Sequence, residues 1–389
     1  MKMADLIRFV ADLVRIPSYS DQEGPIVSFI KQHMQQLGYD EVFVDRVGNV
    51  VGRVGNGPDI LHFDSHVDTV KAEDAGAWSY PPFSGEIVDG KLYGRGSVDM
   101  KAALGASIYA AAQAKKDGLL QGKTIYVTGS ICEEYCDGVN LQNFYKDSGV
   151  HPDVCVICEP SNNLITLGHT GKIQARVKTH GVSAHGSAPE KGVNAVYEMA
   201  EIIQRVEQLN EKLSQKPKPH GTIVLSDISC VSASLNAVPS ECSIYLDRRL
   251  VIGDSLQEAL AQLEDLIREK DAEWEVGTLV HTSWTGQELV YKPIHEPWQI
   301  DKEHPLTLML RKTYEETFGR KATEYNFWDF GTNAVTPLSL GIPTIGFGPG
   351  DYKQAHMVDE HCSTTQIEEA YAFYLKLIEN FTSKGCKND

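Results

Sequence analysis

Basic residues are scarce relative to acidic ones: 36 Lys and Arg against 53 Asp and Glu give a net charge of -17 over 389 residues. So acidic a surface disfavours nucleic acid, anionic membranes and broad polyanions as partners. A small carboxylated substrate is still allowed, because bound cations and a few local Arg or Lys side chains can reverse the potential inside one cleft. Long apolar runs are missing too, and no stretch approaches the roughly 18 residues of a membrane span. The N-terminal pattern is interrupted by Asp5, Arg8, Asp12 and Arg15, so no secretory leader is expected. Cysteines number only eight, dispersed through apolar segments, which fits reduced thiols in a cytoplasm and not a disulfide framework. The one CxxC, Cys155 to Cys158, falls in an apolar run of strand character, where residues three apart face opposite ways. Buried thiols are expected there. GRGSVDMKAA precedes a helix but lacks the GxGxxG spacing of a dinucleotide site.

What the chain does have is an alternation of helix and strand patterns. Helical spacing covers 4–14 and 24–37, the second preceded by Ser20-Asp21-Gln22-Glu23 as a cap region. Strand patterns follow at 41–45, 50–54 and 59–65, then an Ala-rich helix from Met100 to Lys116. The strand TIYVTGSIC, a short helix at 139–146 and the strand DVCVICEP come next. This order predicts an α/β catalytic domain with a layered, mostly parallel sheet, whose ligands gather at the carboxyl ends of strands. From about Lys172 the order becomes β-α-β-β-α-β, the split βαβ pattern of a small α+β domain. It ends in WEVGTLVHTSW, and the α/β texture returns after Tyr291. The expected organisation is therefore a discontinuous catalytic domain, 1–172 with 292–389, and an inserted domain at 173–291.

Chemistry-bearing side chains sit where the apolar runs stop. His66 and Asp68 lie in LHFDSHVDTV; two residues apart on a strand they share a face, so Asp68 can reach the second imidazole nitrogen. Asp99 follows the Gly-rich GRGSV; it reads either as an N-cap for the next helix or as a carboxylate bridging two cations. Glu133-Glu134 closes a core strand, where adjacent carboxylates repel and resist burial. The functional reading places Glu134 on a metal and leaves Glu133 as general base. Glu159 before Pro160, and His356 after Gly348-Pro349-Gly350, repeat the placement. Each has a dull explanation alone. Together, two imidazoles and several carboxylates suit a pair of divalent ions, Zn2+ first, with Co2+ or Mn2+ also conceivable.

The stretches SHVDTV, GRGSVDMKAAL, ICEEYCDG, ICEPS, GVSAHGSAPEKGVNA, LNAVPSECSIYLDRR and AHMVDEH span essentially the whole chain. This set resembles the dinuclear zinc hydrolases that include acetylornithine deacetylase, succinyl-diaminopimelate desuccinylase, aminoacylase and carboxypeptidase relatives. The resemblance implies that Asp99 bridges both ions, that His66 and Glu159 complete one site, and that Glu134 and His356 complete the other. It makes Glu133 the general base and Asp68 the carboxylate behind His66, and marks Asp99–Met100 as a candidate cis peptide. The inserted domain becomes a lid and homodimer interface, with His185 steadying the oxyanion. Asn236 and Arg248 match substrate contacts, although Arg248 reads equally as an ordinary ion pair within the lid. Many relatives carry aspartate in the slot of Asn333, here a neutral side chain beside the substrate position. A branch of selenium-metabolism-linked hydrolases is similar in this stretch and in GFGPG. The implied activity is hydrolysis of the amide of an N-acylated amino acid or small peptide, the substrate carrying a carboxylate. A dipeptidase or carboxypeptidase is the nearest rival. A metal-bound protein without catalysis is the rival from another class, and the presence of both Glu133 and Asp68 argues against it.

Overall fold

Four apolar strands run parallel at the centre of one sheet in the computed structural model, which describes residues 2–73 and 75–386. They are Asp59–His66, Lys123–Ser130, Val154–Ile157 and Thr344–Gly346. Their neighbours Glu41–Val44, Val50–Gly55 and Thr166–His169 pair antiparallel, as sheet margins often do. The register sets His66 opposite Ser130 and Asp64 opposite Ile157. The carboxyl ends of neighbouring strands are therefore level, and the residues that follow each strand emerge side by side. This is the mixed α/β architecture with a mostly parallel sheet that the alternating pattern predicts.

Helix Ala102–Lys116 is buried along its whole run from Ala102 to Ala114, and it packs against helices Met3–Arg15 and Thr364–Asn380. Small side chains permit this three-way contact: a Cβ on Gly105 would stand 2.4 Å from a Val10 methyl. The helix begins at Ala102 and not at Met100, because Asp99 and Met100 hold non-helical dihedrals across a cis peptide. Ser20 to Glu23 does not cap the second helix through its side chains; Glu23 occupies the N-cap position and turns its carboxyl elsewhere.

Contacts divide the chain into two units: Met1–Gly168 with Val280–Tyr291 and Ile300–Asp389, and His169–Leu279 with Lys292–Gln299. The second unit follows the β-α-β-β-α-β order, with strands Gly171–His180, Thr222–Val231, Glu241–Leu250 and Ala272–Val276 and helices Ala195–Ser214 and Leu256–Leu266. Its antiparallel sheet buries Ile173, Ala175, Val177, Ile244 and Leu246 against Met199, Ile202 and Leu263. Asn194 and Ser255 cap the two helices through their side chains, which satisfies amides that would otherwise lack acceptors. WEVGTLVHTSW splits where one strand was expected. Gly277 lies against the Tyr245 ring, and the chain then forms a hairpin, Leu279–Thr282 with Glu288–Tyr291, most of which belongs to the first unit. The anchor is Trp284, whose indole covers Gly24 and Gly48 and donates to the Gly48 carbonyl at 3.2 Å.

Candidate metal centre

Asp99 stands between two imidazoles. Its Oδ1 lies 2.8 Å from Nε2 of His66, and its Oδ2 lies 3.3 Å from Nε2 of His356. Glu159 approaches the first imidazole at 3.7 Å, and Glu134 the second at 3.1 Å. Two groups result, His66–Asp99–Glu159 and Asp99–Glu134–His356, each with its donor atoms within 4.8 Å of one another. Strand register explains the convergence: His66 ends one parallel strand, Glu133 and Glu134 follow the next, and Glu159 follows the third. His356 arrives from the loop after Thr344–Gly346, with a left-handed φ of 64°. Segments remote from one another in sequence thus meet in one place. Asp99 does not cap the following helix, whose N-cap is Lys101, and its side chain faces these two histidines instead.

The cluster carries more negative charge than its own surroundings compensate. Burial pushes the Glu159 and Glu133 carboxyls well above their usual range, with Asp99 repelling the first and Glu159, Asp137 and Glu134 repelling the second. Glu134 is raised by burial as well, against the pull of His356. Burial opposes a charge on His66, yet Asp99, Asp68 and Glu159 raise it well above the ordinary imidazole value. His356 rises to about 10 through hydrogen bonds to Asp99 and Glu134. Neighbouring cationic side chains have other partners. Arg95 is paired with Glu360, and Lys101 donates to the Ile16 carbonyl while burial lowers its pKa to about 7. Converging carboxylates and imidazoles, free of thiolates and short of counter-charge, fit a pair of divalent cations with N/O preference. His66, Asp99 and Glu159 would hold one, and Asp99, Glu134 and His356 the other.

Asp68 lies behind His66 and has a second job. The Nδ1 of His66 meets the Asp68 backbone carbonyl at 2.9 Å and its carboxylate at 3.5 Å. That carboxylate also accepts the backbone N–H groups of Glu133 at 3.0 Å and Glu134 at 3.2 Å, and the Ser20 hydroxyl at 2.7 Å. Sequence reasoning also missed Glu360, fully buried and four residues beyond His356. Its carboxylate accepts from Val98 N at 2.9 Å, Asp99 N at 3.3 Å and Arg95 at 2.5 Å, and Arg95 in turn donates to the His356 carbonyl. One carboxylate therefore ties together the two segments that carry Asp99 and His356. The signal was its place in AHMVDEH, four residues past a suspected ligand.

The remaining expected residues are not part of this cluster. Asn333 is buried; its amide donates to Asp64 at 2.9 Å and Ser130 at 3.0 Å, and its carbonyl accepts from Gly138 N at 2.7 Å. With those bonds made, Asn333 braces strand ends and does not offer itself to a substrate. Arg248 is likewise enclosed in the second unit, facing Gln262, Asp254 and two backbone carbonyls, which is the ordinary ion-pair alternative. Its neighbour Arg249 is the more accessible guanidinium and forks onto Asp247. His185 and Asn236 are exposed side chains of the second unit and neighbours there, joined by an isolated bridge between His185 and Ala237. Ser187 N donates to Nδ1 of His185, which leaves Nε2 to carry the proton outward.

Comparison with known proteins agrees with this geometry. Residues 62–380 match the family described as peptidase family M20/M25/M40. The chain is 34% identical to the protein YgeY of Escherichia coli (strain K12) over 95% of its own length and 93% of that protein's. It is 29% identical to an acetylornithine deacetylase of Vibrio atlanticus, covering 94% of this chain and 93% of the relative. The M20 family metallo-carboxypeptidase Sso-CP2 from Sulfolobus solfataricus superposes with a TM-score of 0.72 at 16% identity, over 97% of this chain and 99% of that one. No helix among the described residues is long and apolar enough to cross a membrane.

Proposed function

The chain belongs to peptidase family M20/M25/M40, metal-dependent hydrolases of amide C–N bonds in acylated amino acids or peptides, and from that premise we propose a dinuclear amidohydrolase with Glu133 as general base. The observation that carries this reading is Asp99, whose two oxygens each address a different histidine and, beyond it, a different glutamate. When bound, a divalent pair supplies Lewis acidity, lowering the pKa of water and drawing charge from the amide carbonyl. Zn2+ suits the donors best, and Co2+ and Mn2+ share the preference for imidazole and carboxylate. Glu133 is a neighbouring carboxylate outside both donor groups. Standing beside both donor groups without belonging to either, its carboxylate is proposed to accept a proton from water and pass it to the departing nitrogen. Asp68 fixes the turn that presents Glu133, and His66 is steadied through its Nδ1.

His185 is proposed to donate from Nε2 to the oxyanion, with Asn236 beside it as a substrate contact. No anchor for a substrate carboxylate is assigned, since Arg248 is enclosed and Arg249 is forked onto Asp247. A homodimer through the second unit is supported by its edge strand Thr222–Val231, where Val224, Ile228 and Val231 are each more than half exposed on an unpaired margin. The acidic chain is expected to work in the cytoplasm on a small molecule carrying a carboxylate and an amide. Zinc-loaded protein screened against N-acetyl, N-succinyl and N-carbamoyl amino acids and against dipeptides tests the assignment. Release of free amine from an acylated amino acid is the expected result. Turnover of dipeptides alone would favour the peptidase, and no turnover of any would contradict the reading.

A further inference from the structure

Glu23 is a buried carboxyl at the start of helix Gly24–Gln36, yet its side chain does not cap that helix. Its Oε1 accepts the backbone N–H of Cys132 at 2.9 Å and faces the Cys132 thiol at 3.4 Å. Oε2 is buried and has no hydrogen-bond partner. Burial and the nearby Asp68 push the group up to about 7, so its placement is costly for the fold. The position it holds explains the expense. Cys132 adopts a left-handed φ of 53°, which a side chain with a Cβ rarely takes, and it immediately precedes Glu133. Three consecutive amides, those of Cys132, Glu133 and Glu134, thus point into two carboxyl groups: the first into Glu23, the others into Asp68. Both acceptors reach this turn from elements remote in sequence.

We infer that Glu23 is a positioning residue for Glu133, holding the left-handed turn at Cys132 so that the base is aimed before substrate arrives. The inference rests on the reading of Glu133 as general base. Glu23 touches neither substrate nor the reacting atoms, and acts only through the Cys132 amide. What it supplies is an acceptor, so charge is dispensable: a glutamine keeps the carbonyl oxygen and puts a donor where Oε2 lacks a partner. Asp68 alone cannot substitute, because its two oxygens are already committed to Glu133, Glu134 and Ser20.

The test compares E23L, E23A and E23Q with E133Q in zinc-loaded full-length protein, with kcat normalised to bound metal. Loss of aim costs turnover and not binding, so E23L and E23A should lose kcat about 10- to 100-fold with KM changed less than about twofold. Metal content should match the wild type, and E23Q should keep at least about half of kcat, as expected of a retained acceptor. If E23L and E23A turn over normally while E133Q is inactive, the inference is overturned and the base assignment stands. E23Q falling as far as E23L would also overturn it, since an acceptor alone would then be insufficient. Normal turnover by E133Q would overturn the reading beneath both.

Discussion

The two halves of the candidate centre are built differently. His66 and Glu159 leave the ends of adjacent parallel strands and are almost wholly buried, with side-chain exposures of 1% and 4%. His356 comes from a loop, at 48% exposure and with a left-handed backbone, and meets Glu134 only after the chain has returned from the second unit. The inner half is placed by sheet register, so its geometry comes with the core. In the outer half Glu134 shares that frame through the strand Lys123–Ser130, but His356 does not. It depends on a buried clamp, Glu360 with Arg95, that binds the His356 loop to the Asp99 turn. Inner positions should therefore answer to changes in the core, and outer positions to changes in the clamp.

Glu133 belongs to neither half, and the largest effect is expected there. Glu133→Gln should lower kcat by about 10³-fold with both metals retained, because general-base catalysis is lost and no proposed ligand is touched. Single-turnover assays with metal analysis check this. On the inner side, Asn333→Asp would set a second carboxylate against buried Asp64, itself raised by burial, and remove a donor that Asp64 and Ser130 both use. A loss of about 2–4 kcal/mol is expected by urea unfolding near neutral pH. A loss below about 0.5 kcal/mol, the scale of surface changes, would mean that Asn333 is no brace.

Glu23→Gln sharpens the inner half further. Folded Glu23 titrates at about 7 and the unfolded chain near 4.5, so the folded state holds the proton more tightly. The wild type consequently has that contribution in full below about pH 4.5 and loses it as pH rises to about 7. Relative to wild type, E23Q should gain about 2–3 kcal/mol across that window, read from paired unfolding curves. The outer half is probed by Glu360→Gln. Weakening the clamp should reduce affinity at the Asp99–Glu134–His356 position about 10- to 100-fold and leave the other within about threefold. Equal losses at both would erase the distinction between the halves.

The sheet and the cluster were legible because apolar strand patterns end where ligand-type residues begin, and a parallel sheet brings such ends together. His66, Glu133, Glu134 and Glu159 needed little more than that. Asp99 alone was ambiguous between cap and bridge; the resemblance implied the bridge, and its two oxygens face different histidines. Side chains whose meaning lies in long-range partners were harder to read. Asn333 and Arg248 have the donors of substrate contacts, but only the fold shows that those donors are already used. Glu23 and Glu360 were overlooked because a Glu beside a helix start or a histidine has no pattern to distinguish a buried acceptor from a solvated one. Asp68 was expected beside His66, but its hold on the Glu133 amide was not foreseen. The hairpin 279–291 escaped because periodicity cannot say which unit a strand will join.

Crystals grown with zinc and measured at the zinc absorption edge offer the most direct test of a shared divalent pair. The expected anomalous map holds two peaks, one among His66, Asp99 and Glu159 and one among Asp99, Glu134 and His356, with an Asp99 oxygen on each. A single peak, or zinc bound away from Asp99, would contradict the account.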